Sequence, residues 1–325
     1  MTRRRSAALA AGVLVALGAL VTGCATTPVT PRSAPPVTQP SQPGAHSDAP
    51  PTAATAPPTR DAPRPHRVLA IGNSFASGAI IEYLTPLARA GGHDLTVGVA
   101  GVAGASLEMH AANIASGSPA YRLQVVGPDG SRESRGGVPL DEALGARDWD
   151  VVTVQQSSAL SGLPERLDPA LTTLVAHIRE RLPGARILVH QTWAYAWTAQ
   201  GTAFDSYGRD QCRMYAGIVE TYDRAVAEVD GATVIPTGTA VQLARGGGVP
   251  ESSLTVPDGM HLNLPHGQFL GALTWYDALF GGPAPTTFAP QGMDAAAAAT
   301  LRAAADEALA WRDGVRFTVP CRQPA

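Results

Sequence analysis

The 325-residue sequence predicts a three-layer α/β/α sandwich, and three observations carry that reading. After residue 66, short runs of Val, Ile and Leu alternate with longer stretches of helical character. The runs are continuously apolar rather than alternating, as strands buried on both faces of a parallel sheet must be. Polar or glycine-containing clusters follow several of them, where such a sheet presents its ligand-binding edge.

The first strand is Arg67-Val68-Leu69-Ala70-Ile71, ending at Gly72. Residues 79–90 read as an amphipathic helix closed by Gly91-Gly92. Residues 94–100 and 150–154 supply the second and third strands, with 119–140 between them as an inserted hairpin or loop. A helix over 168–182 stops at Pro183-Gly184 and leads into a fourth strand over 185–190. A helix over 211–229 precedes the fifth strand at 232–236, and helices over about 264–280 and 294–312 finish the chain. The sheet is therefore expected to be parallel, five-stranded and flavodoxin-like, with no internal repeat.

Upstream, Arg3 to Arg5 precede an apolar stretch from Ala7 to Val21 and then Val21-Thr22-Gly23-Cys24. A basic start, an apolar centre and small residues at the end describe a secretory signal. The stretch is also short of the roughly 20 residues a membrane span needs. Its end resembles a bacterial lipobox. That resemblance implies lipidation of Cys24 and an exported protein anchored to the outer face of the cell membrane; an ordinary signal peptide cut nearby is the alternative. Residues 25–65, rich in Pro, Thr, Ala and Ser, read as a solvated tether without a core. The division is thus 1–24 signal, 25–65 linker and 66–325 one folded domain, expected to act as a monomer.

Composition narrows the chemistry. The formal charge is −3 with no basic stripe, which argues against a nucleic-acid partner. All 24 basic Lys or Arg positions are Arg. Without a lysine there is no Walker-type phosphate loop and no Schiff-base or Ser-Lys chemistry. Once Cys24 is set aside, Cys212 and Cys321 remain, either as one disulfide tying the C-terminal tail to the body or as two free thiols. Neither has a partner at metal-ligand spacing, so no metal and no cofactor are expected.

Ser74 lies where the first strand turns into a helix, a place where backbone N–H groups can face a developing anion. Asp258-Gly259-Met260-His261 sets an acid and an imidazole three residues apart in one loop. The carboxylate can hold Nδ1 of the ring while Nε2 turns to a serine. Ser74 read alone is a helix cap.

With Gly72-Asn73-Ser74, Ala100-Gly101-Val102-Ala103-Gly104 and Asp258-x-x-His261 in place, the chain resembles the SGNH/GDSL hydrolases. More narrowly it resembles a largely uncharacterised branch with Gly-Asn-Ser-Phe. The further marks of that branch are Asp150 to Gln155, Asp258 to Leu262, and Gly267 to Tyr276. The resemblance covers nearly all of 67–281. It implies Ser74 as nucleophile, His261 as base and Asp258 as its support, with the oxyanion received by Ser74, Gly104 and a glutamine amide. The usual Gly-x-Asn-Asp block is replaced by Gln155-Gln156-Ser157-Ser158. Gln155 is the expected donor from the branch pattern, Gln156 the alternative. Asn73, Trp193 and Tyr195 are candidate substrate contacts, the last two from the period-two spacing of Trp193, Tyr195 and Trp197, which suits a sugar platform or a packed strand extension or loop.

The expected function is removal of small acyl groups, acetyl among them, from a small-molecule or carbohydrate ester such as an envelope polysaccharide. An O-acyltransferase using the same residues, and a non-catalytic glycan-binding lipoprotein, are the alternatives.

Overall fold

The computed structural model describes residues 66–315 and 317–321. The expected signal segment with Cys24 and the linker over 25–65 lie outside the described residues. The strands are β1 (Arg67–Gly72), β2 (Thr96–Gly101), β3 (Tyr121–Val126), β4 (Arg132–Val138), β5 (Val151–Val154), β6 (Arg186–His190) and β7 (Thr233–Ile235). They form one sheet in the order β4-β3-β2-β1-β5-β6-β7.

Five strands, β2-β1-β5-β6-β7, run parallel, which is the flavodoxin-like order. Residues 119–140 contribute the hairpin β3–β4, which adds antiparallel to the β2 edge. Successive residues Val68, Leu69 and Ala70 of β1 are all fully buried, so both faces of the sheet centre are covered.

The helices are α1 (Ser74–Ile80), α2 (Leu84–Ala90), α3 (Leu107–Ser116), α4 (Leu140–Gly145) and α5 (Ala170–Arg181), then α6 (Gln211–Glu228), α7 (Thr237–Gly246), α8 (Glu251–Leu254), α9 (His266–Phe280) and α10 (Ala295–Arg312). α1, α2, α7, α8 and α10 gather around α9, while α3 and α4 pack on α5. The helix expected over 79–90 is two helices instead, broken by a turn at 81–83, and α1 starts at Ser74 itself. Cys212, in the first turn of α6, is disulfide-bonded to Cys321, with 5.5 Å between the Cα atoms. Gln242 of α7 also donates to the Pro320 carbonyl at 3.1 Å, so the tail is held at two points.

Candidate active site

The site is built from three loops at the carboxyl ends of the parallel strands. The first is the turn after β1. Asn73 is extended (φ −137°, ψ −156°) and caps α1, its Oδ1 accepting from the Phe75 N–H at 2.9 Å. Its Nδ2 donates to the Ala105 carbonyl at 3.0 Å. Both ends of the Asn73 amide are thereby assigned, and the assignment propagates. The Gln155 Nε2 must donate to Asn73 Oδ1, 2.9 Å away, which turns Gln155 Oε1 towards His190 Nδ1 at 3.3 Å. His190 thus carries its proton on Nδ1, and its Nε2 accepts from Thr237 Oγ1 at 3.2 Å. Complete burial pushes the His190 pKa down to about 3, so the ring is neutral. Gly72 makes room for this line: a Cβ there would come within 2.8 Å of Gln155 side-chain carbons.

The second loop is a tight hairpin closed by the Thr255–Leu262 bridge. Inside it the Val256 N–H donates to His261 O at 2.9 Å and the Gly259 N–H to Val256 O at 2.8 Å. Gly259 turns the chain with φ 72°, and a Cβ on it would meet the Ala199 backbone at 2.8 Å. Only glycine meets both demands. The turn gathers three donors onto Asp258: the Met260 N–H (2.7 Å), the His261 N–H (3.0 Å) and His261 Nδ1 (2.6 Å). Burial would raise the Asp258 pKa, but these hydrogen bonds and the nearby imidazole outweigh it and hold the pKa below its ordinary value. An ionised carboxylate only accepts, so Nδ1 carries the proton and the Nε2 lone pair faces Ser74 Oγ at 2.8 Å. Ser74 itself is exposed.

The third loop, after β2, carries Gly104 (φ 64°). It is stitched to the first by the Val102 N–H to Gly72 O bond (3.0 Å) and by Asn73 to Ala105 O. Among the described residues, neither the Ser74 nor the Gly104 N–H has an acceptor.

Ser74, His261 and Asp258 therefore come together, with Gly104 on the loop tied to the Ser74 turn. Gln155 does not join them as a donor. It is 2 % exposed beneath the turn, and its amide is spent on Asn73 and His190. Gln156 is no substitute: its Oε1 accepts from the Leu107 (3.1 Å) and Ser157 (2.8 Å) N–H groups and its Nε2 donates to Arg166 O at 2.8 Å.

The expected substrate contacts need correcting as well. Asn73 is buried and its polar atoms face inwards. Of the packed alternatives, strand extension or loop, residues 191–199 take the loop, which folds against the Asp258–His261 hairpin, so their alternation does not mean what it would on a sheet. Trp193 is fully buried, stacked on Phe75 with centroids 4.4 Å apart, and donates to Met260 O at 2.7 Å. Tyr195 is buried with its hydroxyl on Ser158 Oγ at 2.8 Å. Trp197 is the member of the series that faces solvent. Thr237, which holds His190, had no motif to reveal it; its one signal was its place just after the fifth strand.

The family described as "Domain of unknown function (DUF4886)" matches residues 67–308. A crystal structure of a DUF4886 family protein from Bacteroides uniformis is 36% identical, covers 77% of this chain and 96% of its own, and superposes with a TM-score of 0.73. A protein from Slackia heliotrinireducens named as a candidate SGNH hydrolase is 24% identical over 65% of this chain and 97% of its own, with a TM-score of 0.45. A family 3 carbohydrate esterase from Clostridium thermocellum is 14% identical over 65% and 93%, with a TM-score of 0.40. No curated protein matches the chain.

Proposed function

The chain belongs to the DUF4886 family, and from that footing we propose that it is a serine esterase with a Ser74-His261-Asp258 triad. The observation that carries the reading is the unbroken line from Asp258 through Nδ1 and Nε2 of His261 to Ser74 Oγ, with links of 2.6 and 2.8 Å.

His261 Nε2 takes the Ser74 proton as Oγ attacks the ester carbonyl. The N–H groups of Ser74 and Gly104 receive the oxyanion, making a hole of backbone donors only. Collapse expels the alcohol, which leaves with the proton from Nε2. A water then gives its proton to Nε2, attacks the acyl-enzyme and releases the acid.

Exposure of Ser74 favours a small acyl group such as acetyl on a bulky alcohol, because an open site cannot enclose a long chain. An envelope or extracellular polysaccharide is the alcohol we favour. The signal-like start and Cys24 suit an exported, lipid-anchored protein, and the Cys212–Cys321 disulfide supports an oxidising compartment.

Ser74→Ala is expected to abolish both hydrolysis of 4-nitrophenyl acetate and labelling by a fluorophosphonate probe. Absence of labelling in the folded wild-type protein would instead favour the non-catalytic glycan-binding reading.

A further inference from the structure

Single exposed apolar side chains are ordinary on a protein surface. Here the large ones among the described residues are Met109, Trp197, Leu264 and Val315; Met109 lies in the first turn of α3, and Trp197 and Leu264 lie in turns. Met109 comes five residues after Gly104, and Leu264 three after His261. Trp197, 51 % exposed, stands between Ala196, whose N–H donates to Gly259 O at 2.7 Å, and Ala199, which packs on Gly259.

The loop that displays Trp197 is held on both sides. Ala194 O accepts from Arg245 at 3.0 Å and Tyr195 O from Gln211 at 2.9 Å. Ala199 donates to Ala196 O at 2.9 Å and its carbonyl accepts from Arg209. An indole on so constrained a backbone loses little further freedom when something stacks on it. The neighbouring Thr198 and Gln200 are exposed and polar.

A long acyl chain would need enclosure that the exposed Ser74 does not give. A pyranose ring needs only a flat apolar face for its C–H side, with polar groups or water for its hydroxyls. Met109 and Leu264 offer no such plane. Resting on the esterase reading, we propose that Trp197 is the surface on which the sugar ring of the ester substrate stacks, and so sets the preference for carbohydrate esters.

The test compares the full chain with Trp197→Ala and Trp197→Phe on glucose pentaacetate and on triacetin, an acyclic acetate. The ratio of kcat/KM for the sugar ester over triacetin should fall about 10-fold in Trp197→Ala, through KM, and recover in large part in Trp197→Phe. An unchanged ratio overturns the proposal.

A second measurement needs no turnover. Glucose pentaacetate added to the Ser74→Ala protein should shift its tryptophan emission, and the shift should vanish when Trp197→Phe is added. If the wild type cleaves neither ester, the esterase reading falls, and the emission shift alone decides for or against a sugar face at Trp197. If cleavage is normal and no shift occurs, the sugar face falls and the esterase stands.

Discussion

Gln155 separates two roles that one sequence pattern allows. As an oxyanion donor it would act only on the transition state, and its loss would lower kcat roughly 100- to 1,000-fold while leaving stability alone. As a buried support it holds Asn73 Oδ1 and the His190 Nδ1–H, and its loss strands polar groups in the core. We therefore expect Gln155→Ala to cost about 1–3 kcal/mol in urea unfolding, with a kcat loss that follows from the slackened Ser74 turn. A large kcat loss at unchanged stability would restore the donor role. The sequence singled out Ser74, His261 and Asp258 as candidates because serine-esterase chemistry demands those residue types, and the fold brings the three side chains together. It left Gln155 ambiguous because an amide at a strand end can point along the sheet or out of it. The partner that decides, Asn73 Oδ1, is itself oriented by the Phe75 N–H, a bond with no sequence signature.

At the scale of elements, the strands were legible because buried parallel strands are continuous apolar runs, and the hairpin over 119–140 showed as an insertion between them. α7 was not legible because Thr237, Gly238 and Thr239 open it directly after Pro236, residues that favour turns and strands over helix, although all from Thr237 to Ala244 are buried. Yet α7 matters to the site through Arg245. Its guanidinium makes two bonds of 2.9 Å to Glu251 of α8 and one of 3.0 Å to Ala194 O, while Thr255 Oγ1 donates to Glu251 at 3.2 Å. One planar fork thus joins the Trp197 loop, through Glu251, to Thr255, where the Asp258–His261 hairpin opens. A lysine keeps the charge but cannot span these acceptors. Arg245→Lys should lower stability by about 2 kcal/mol in denaturant titration and weaken the sugar-ester preference along with it. Full retention of both would mean that the two loops are positioned independently.

For the whole molecule, the buried ionisable groups set how stability responds to acid. Burial lowers the pKa of His190 to about 3 and of His110 to about 4, against an ordinary 6.5. Below pH 6.5 the unfolded chain binds protons at both sites that the folded protein refuses, so both work against the fold as pH falls. Asp277 opposes them. Burial lifts its pKa from 3.8 to about 6, so between those values the folded protein holds a proton that the unfolded chain has lost. Between about pH 6 and pH 4 the three leave a net excess of one proton on the unfolded chain. Their combined contribution to unfolding free energy should therefore drop by about 1.4 kcal/mol per pH unit on acidification. His110 lies in α3, bonded to the Tyr121 hydroxyl at 2.8 Å and outside the Asp258–His261–Ser74 line, so it can be changed without touching those three residues. His110→Gln should remove one of the two destabilising protons and bring this part of the slope close to zero. Urea titrations across that range measure both slopes. An equal slope in the two proteins would mean that His110 is protonated in the fold, and a rise in stability towards acid would mean that Asp277 outweighs the histidines.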